Sequence, residues 1–255
     1  MKDYLNQSGF AAAIKNVEKT LFKAASGIGT LREKTLHAVI KRYIEPDMSR
    51  HEVKTAFGIV DIMAANRHIF EVQTRKLHLL TKKLSGLLNS HSVTVVYPIA
   101  HKKLLSWIDP ITAEASKPRK SPKTGSFFDA LRELYSLKPL LLNENLHIRL
   151  MLIDIIEYRL KNGWGNGGKR GSELYERIPT ALYGDVTLSF PLDYKLLIPK
   201  ELSQEFTAID FSKAAHISLS SAQRGVNLLC SIGVIECIGK LKRSNLYAKV
   251  STEEE

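Results

Sequence analysis

Between positions 11 and 23 apolar and charged residues alternate at helical spacing, and Ser26-Gly27-Ile28-Gly29 interrupts the pattern. A second helical pattern covers 30–43 and stops before the turn signal Glu45-Pro46-Asp47. Three short runs of strand character follow, at 52–57, 58–63 and 68–73, and their tight spacing predicts a small antiparallel meander. Leucines at 77, 80, 84, 87 and 88, with Lys and Arg between them, describe an amphipathic helix over 74–88. The run Val93-Thr94-Val95-Val96-Tyr97 then has the continuous apolar content of a strand buried on both faces. Strand, helix and strand in this order predict a right-handed crossover to a parallel neighbour.

Beyond that point the pattern loosens. Residues 109–125, rich in Pro, Ser and Lys, read as a loop, and 127–137 as a helix. The β-branched run 146–156 reads as a further strand, and a glycine-rich basic loop occupies 163–171. That loop lacks the Gly-Lys-Ser/Thr ending of a phosphate-binding P-loop, and a surface hairpin is its plainer account. From Pro199 three short helical patterns, at 200–206, 210–215 and 220–232, precede a two-stranded hairpin with the basic tip Lys240-Leu241-Lys242-Arg243. The pattern therefore predicts an α/β domain over 1–190, with a mixed sheet flanked by helices. A small domain at 199–250 and an acidic tail at 251–255 follow it.

Composition narrows the function classes. In 255 residues, 44% hydrophobic and 25% charged content excludes a disordered chain. No apolar run reaches the length of a membrane span, and the N-terminus lacks the pattern of a secretory signal. The expectation is a cytoplasmic protein with no membrane partner. Two cysteines seven apart, Cys230 and Cys237, support neither a zinc site nor a disulfide framework, and both are expected to pack as small apolar residues. The formal charge of +11 favours a polyanionic partner, nucleic acid first.

The chemistry concentrates between residues 33 and 97. If the strands around Asp61 and Glu71 fold about residue 66, the two carboxylates lie directly opposite, with Cβ atoms about 5 Å apart. Carboxylates at that distance repel unless a proton or cation lies between them, and Mg2+ takes one or two protein carboxylates while keeping waters. Strand alternation puts Gln73 on the face of Glu71, where its neutral amide can orient a water or phosphate. On the preceding helix Glu33 and His37 are four apart and share a face, Glu33 being the better further ligand. Glu52 ranks lower. A solvent-facing charge on an edge hairpin is the plainer account of Asp61 and Glu71, helix surface pairing that of Glu33, and partly buried packing that of His37.

A helix acid, an Asp on one strand and Glu-x-Gln on the next, followed by a helix and a buried strand, resembles the PD-(D/E)XK nuclease superfamily. The match spans about 65 residues: Glu33 corresponds to the helix acid, Asp61 and Glu71 to the metal ligands, and Gln73 to the usual lysine. The Pro-Asp pair is absent at Asp61, which Val60 precedes. The resemblance implies a restriction-endonuclease-like fold and a Mg2+- (or Mn2+-) dependent phosphodiesterase. Its partner would be nucleic acid, DNA before RNA, and cutting both strands of a duplex would call for a homodimer or two visits. The last 50 residues resemble winged helix-turn-helix domains, with Gln223 and Arg224 early on the third helix facing a groove. Further phosphate contacts are expected from Arg75, Lys76, Lys120, Lys123, Lys169, Arg170, Lys240, Lys242 and Arg243. The replacement of lysine by Gln73 keeps open an alternative: a non-catalytic DNA-binding regulator on a degenerate nuclease-like domain.

Overall fold

The computed structural model describes residues 6–25, 34–163 and 171–250. Two helices, α1 (Gln7–Ala25) and α2 (Thr35–Ile44), precede the meander β1 (His51–Thr55), β2 (Gly58–Met63) and β3 (Ile69–Val72). A helical segment that ends in α3 (Thr81–Leu87) leads to β4 (Val93–Ile108). Then come the two-residue β5 (Arg119–Lys120), the short α4 (Leu131–Leu134) inside a helical stretch, β6 (Leu146–Leu160) and β7 (Glu173–Leu188). The main sheet runs β1-β2-β3-β4-β6-β7, with β5 on β4. β3, β4 and β6 are mutually parallel and the other pairs antiparallel, so the sheet is mixed.

Alternation along the central strands explains the layering. Val95, Leu150 and Leu152 enter one core with Leu84 and Leu87 of α3, while Val96, Met151 and Ile153 enter a second core with Leu36, Val39 and Ile40 of α2. Helices on both faces bury both sets of side chains, which is why these strands read as continuous apolar runs.

The C-terminal elements are β8 (Glu205–Thr207), α5 (Ala208–Ala214), α6 (Leu219–Ile232), β9 (Ile235–Leu241) and β10 (Ser244–Lys249), with a three-stranded sheet ordered β8-β10-β9. They share the first core, where Phe211, Val226 and Leu229 cluster with Leu131 and Leu134. A Cβ on Gly225 of α6 would come within 2.8 Å of Leu131 Cδ1, so the missing side chain permits this close packing.

Several expectations change. Residues 200–206 form no helix, because Phe206 and Thr207 pair with Tyr247 and Leu246 of β10. The strand expected at 93–97 continues to Ile108, and β7 is a 16-residue strand that the sequence pattern did not announce. The loop at 109–125 contains β5. Cys237 is exposed on β9 instead of packed, and Cys230 is partly buried on α6.

Candidate functional site

The β2-β3 register is the expected one, with Ile62 opposite Phe70 and Met63 opposite Ile69. The ladder ends there, and the next pair in register is Asp61 and Glu71. Side chains take over from the ladder at this point. The Val72 N–H donates to Asp61 Oδ2 at 2.8 Å, and the Asp61 backbone N–H bonds to the Glu71 carboxylate. The two strands are thus closed by the two acids.

Each carboxylate also takes a partner from a different face of the sheet. His37 Nε2 of α2 lies 3.3 Å from Asp61 Oδ2. Lys83 Nζ of α3 donates to Glu71 Oε1 at 2.6 Å and to the Ile59 carbonyl. The cation expected between the acids is therefore supplied in part by protein groups. Glu71 is 3% exposed, and burial pushes its carboxyl above the ordinary range, aided by the Asp61 charge and opposed by Lys83. Burial acts on Asp61 in the same sense, but the His37 hydrogen bond and charge, the Val72 N–H and Lys41 outweigh it and hold Asp61 below the ordinary range. Two adjacent acids with opposed shifts are the pattern expected where one is to stay ionised and the other to exchange a proton.

Gln73 does not reach the carboxylates with its amide, which donates to the carbonyls of Arg75, at 2.8 Å, and Lys76. Glu52 is paired with buried Lys41 at 3.3 Å. Glu33, Lys169 and Arg170 lie outside the described residues, as does most of the glycine-rich loop. Among the described residues no group of three or more His, Cys, Asp and Glu is placed to hold a metal ion. No helix among them is long and apolar enough to cross a membrane.

The expected basic positions are mostly surface residues. Arg75 and Lys76 are exposed at the turn after β3, Lys120 is exposed on β5, and Lys123 pairs with Asp129 at 2.6 Å. Gln223 and Arg224 are exposed on α6, whose start is capped by Ser218 accepting from the Ser221 N–H. Lys240, Lys242 and Arg243 are exposed at the tip of the β9-β10 hairpin. Sequence reasoning missed Lys83, which reads as one more solvated charge in a leucine-lysine helix. It also missed Lys103, Arg159 and Arg177, which surround the fully buried Glu157 at 3.9, 2.7 and 3.0 Å. An acid inside the apolar run of β6 was the available signal.

Fold and site together define an α/β protein with a mixed sheet between helices and a pair of apposed acids at the end of its β2-β3 ladder. The chain belongs to the family described as Domain of unknown function (DUF8091), whose model matches residues 34–189, from α2 through the end of β7. It is 40% identical over 126 residues to a protein of Treponema pallidum (strain Nichols) that carries the name "Uncharacterized protein". That alignment covers 49% of this chain and 50% of the relative, so the chain spans about half the length of the relative it matches. No solved structure matches the chain.

Proposed function

We propose that this protein is a metal-dependent nuclease of the PD-(D/E)XK kind that hydrolyses phosphodiester bonds in nucleic acid, with DNA the favoured substrate. The observation that carries this reading is the apposition of Asp61 and Glu71 across the β2-β3 junction, with the Lys83 ammonium on Glu71. The order α2-β1-β2-β3-α3-β4, with β4 parallel to β3, supports it as the order of elements that the resemblance implies.

Asp61 and Glu71 offer hard oxygen donors, few in number, and this suits Mg2+ or Mn2+ completing its shell with water. Bound there, the ion would supply Lewis acidity and an activated water. Asp61, held ionised, is the constant anion of the pair. Glu71, whose carboxyl burial raises, would have to be ionised to hold the ion, and Lys83 balances its charge. Lys83 also stands in for the cationic residue that Gln73 cannot be.

The C-terminal elements follow the order strand, helix, helix, hairpin, with sheet order β8-β10-β9, and this supports a winged-helix module. Gln223 and Arg224 would enter a groove, and Lys240, Lys242 and Arg243 would meet phosphates. Cleavage of both strands of a duplex would use a homodimer or successive visits.

The test is incubation of the purified protein with Mg2+ or Mn2+ and single-stranded, duplex and branched DNA, and RNA. Asp61→Ala and Glu71→Ala should abolish cleavage, and Lys83→Ala should slow it by about 100-fold or more, as loss of a charge-stabilising group does. Cleavage that survives both carboxylate substitutions removes the site. A second reading, the non-catalytic nucleic-acid-binding regulator, is favoured by the Gln73 amide bonding its own loop and by the shielded Glu71. Tight, salt-sensitive binding with no cleavage under any of these conditions selects it.

A further inference from the structure

β4 and β6 outrun β3 by more than ten residues, and this overhang carries a concentration of positive charge that no motif in the sequence marks. Lys103, Leu105 and Trp107 alternate along β4 and project from one face. Arg119 of β5, Leu105, Glu157 of β6 and Arg177 of β7 are successive partners in register across four strands, and such partners share a face. Lys103 and Arg177, with Thr74 and the ion pair Lys123–Asp129, line a cleft beyond the C-terminal end of β3, which is also where the chain leaves Glu71. A second cleft is lined by Trp107, Lys117, Arg119 and Lys161.

Behind the first cleft, whose own Asp129 is matched by Lys123, lies a second acid. Glu157 is fully buried and answers three cations, Lys103, Arg159 and Arg177, leaving two positive charges in excess. Its carboxylate is a positioning group that fixes the guanidinium of Arg177 through Nε and so leaves the terminal nitrogens to a ligand. Among the described residues no carboxylate pairs with Lys117 or Arg119, so the second cleft adds uncompensated charge. Lys103 and Trp107 are four positions apart on β4, about 13 Å of extended chain. That length is enough to meet more than one phosphate of a single strand.

We infer that the β4 overhang is a track for the sugar-phosphate backbone of one nucleic-acid strand, held by Lys103, Lys123, Arg177 and Arg119, with Trp107 as a stacking platform for a base. The charge and its arrangement select a repeating anion over a single phosphate, and a half-buried aromatic beside lysines is how proteins hold unpaired bases. This deepens the nuclease reading, on which it rests for the choice of ligand, by naming the surface that delivers the strand to Asp61 and Glu71.

The experiment is fluorescence anisotropy with a labelled 20-nucleotide single-stranded DNA, and the same sequence as a duplex, in EDTA at low salt. Wild type should bind the single strand. Lys103→Ala/Arg177→Ala should weaken binding at least tenfold and make the salt dependence shallower by about 1.4 in log K per log salt, because two fewer phosphates are neutralised. Lys15→Ala/Lys19→Ala, on exposed positions of α1, removes the same charge elsewhere and should change affinity less than twofold. Because Arg177 also partners buried Glu157, Arg119→Ala/Lys123→Ala, at two exposed positions, repeats the test should the first variant unfold. With Trp164→Phe, Trp107 is the sole tryptophan, and its emission should quench on binding. The inference is overturned by absence of binding, by equal losses in the track and α1 variants, by binding that leaves Trp107 emission unchanged, or by duplex binding alone. Since no metal is present, none of these outcomes depends on whether Asp61 and Glu71 cleave.

Discussion

Glu157 illustrates how a single residue changes meaning between chain and fold. In the sequence it is one acid in an apolar strand, yet in the folded protein it has no exposed surface and three cationic neighbours. Burial by itself would raise its carboxyl; the Arg159 hydrogen bond and the charges of Arg177 and Lys103 outweigh burial and hold it below the ordinary range. A carboxylate with a depressed pKa in the fold contributes stability above its unfolded-state pKa, about 4.3, and loses it as pH falls through the folded value. Glu157→Gln should therefore cost about 1–3 kcal/mol near pH 7, since it removes charge-assisted hydrogen bonds between a buried carboxylate and partly exposed cations. The deficit should shrink steadily below about pH 4.3 in urea denaturation series; a pH-independent deficit would assign the loss to packing alone. Asp61 was legible as a candidate because its spacing to Glu71 follows from hairpin arithmetic. Lys83 was not, because nothing in a leucine-lysine helix says which lysine turns inward.

At the level of elements, the meander, α3 and the central parallel strands were legible because each follows one hydrophobic period. The misread segment 200–206 has an ambiguous pattern, and pairing with β10 decided it. The length of β4 was hidden by an irregularity in its pairing with β6 between Ala100 and Lys103, which breaks the alternation of side chains. The loop that carries Lys123 is anchored at this irregularity: the Gly125 N–H donates to the His101 carbonyl at 2.8 Å, and a Cβ on Gly125 would stand 2.1 Å from the Ala100 carbonyl oxygen. A backbone atom cannot yield as a side-chain tip does. Gly125→Ala should cost about 1–3 kcal/mol, read from the urea midpoint, and should weaken oligonucleotide binding by displacing Lys123. Wild-type stability in this variant would show that the loop is free to move off the strand.

For the whole molecule, the first core is continuous from α3 and β4 through α4 into α5, α6 and β9, with Leu131 seated against Gly225. Removing residues 199–255 would bare the faces of Leu131, Leu134 and Leu137. The fragment 1–198 should bind hydrophobic dyes and lack a cooperative thermal transition, whereas the full chain should melt cooperatively; a fragment with a sharp transition and native near-ultraviolet dichroism would show two independently stable units. The net charge of +11 has a similar history. As a total it indicated only a polyanion, and folding gathered Lys103, Arg119, Arg159 and Arg177 from four strands onto one overhang. The sequence by itself determined the α/β class, the β2-β3 register and the pairing of Asp61 with Glu71, because these depend on local periodicity and on residues close in the chain. Only the tertiary structure decided the partners of those acids, the cation cluster around Glu157 and the shared core. Each of those joins groups up to about a hundred residues apart, and no local pattern encodes which distant side chain will fill a given space or balance a given buried charge.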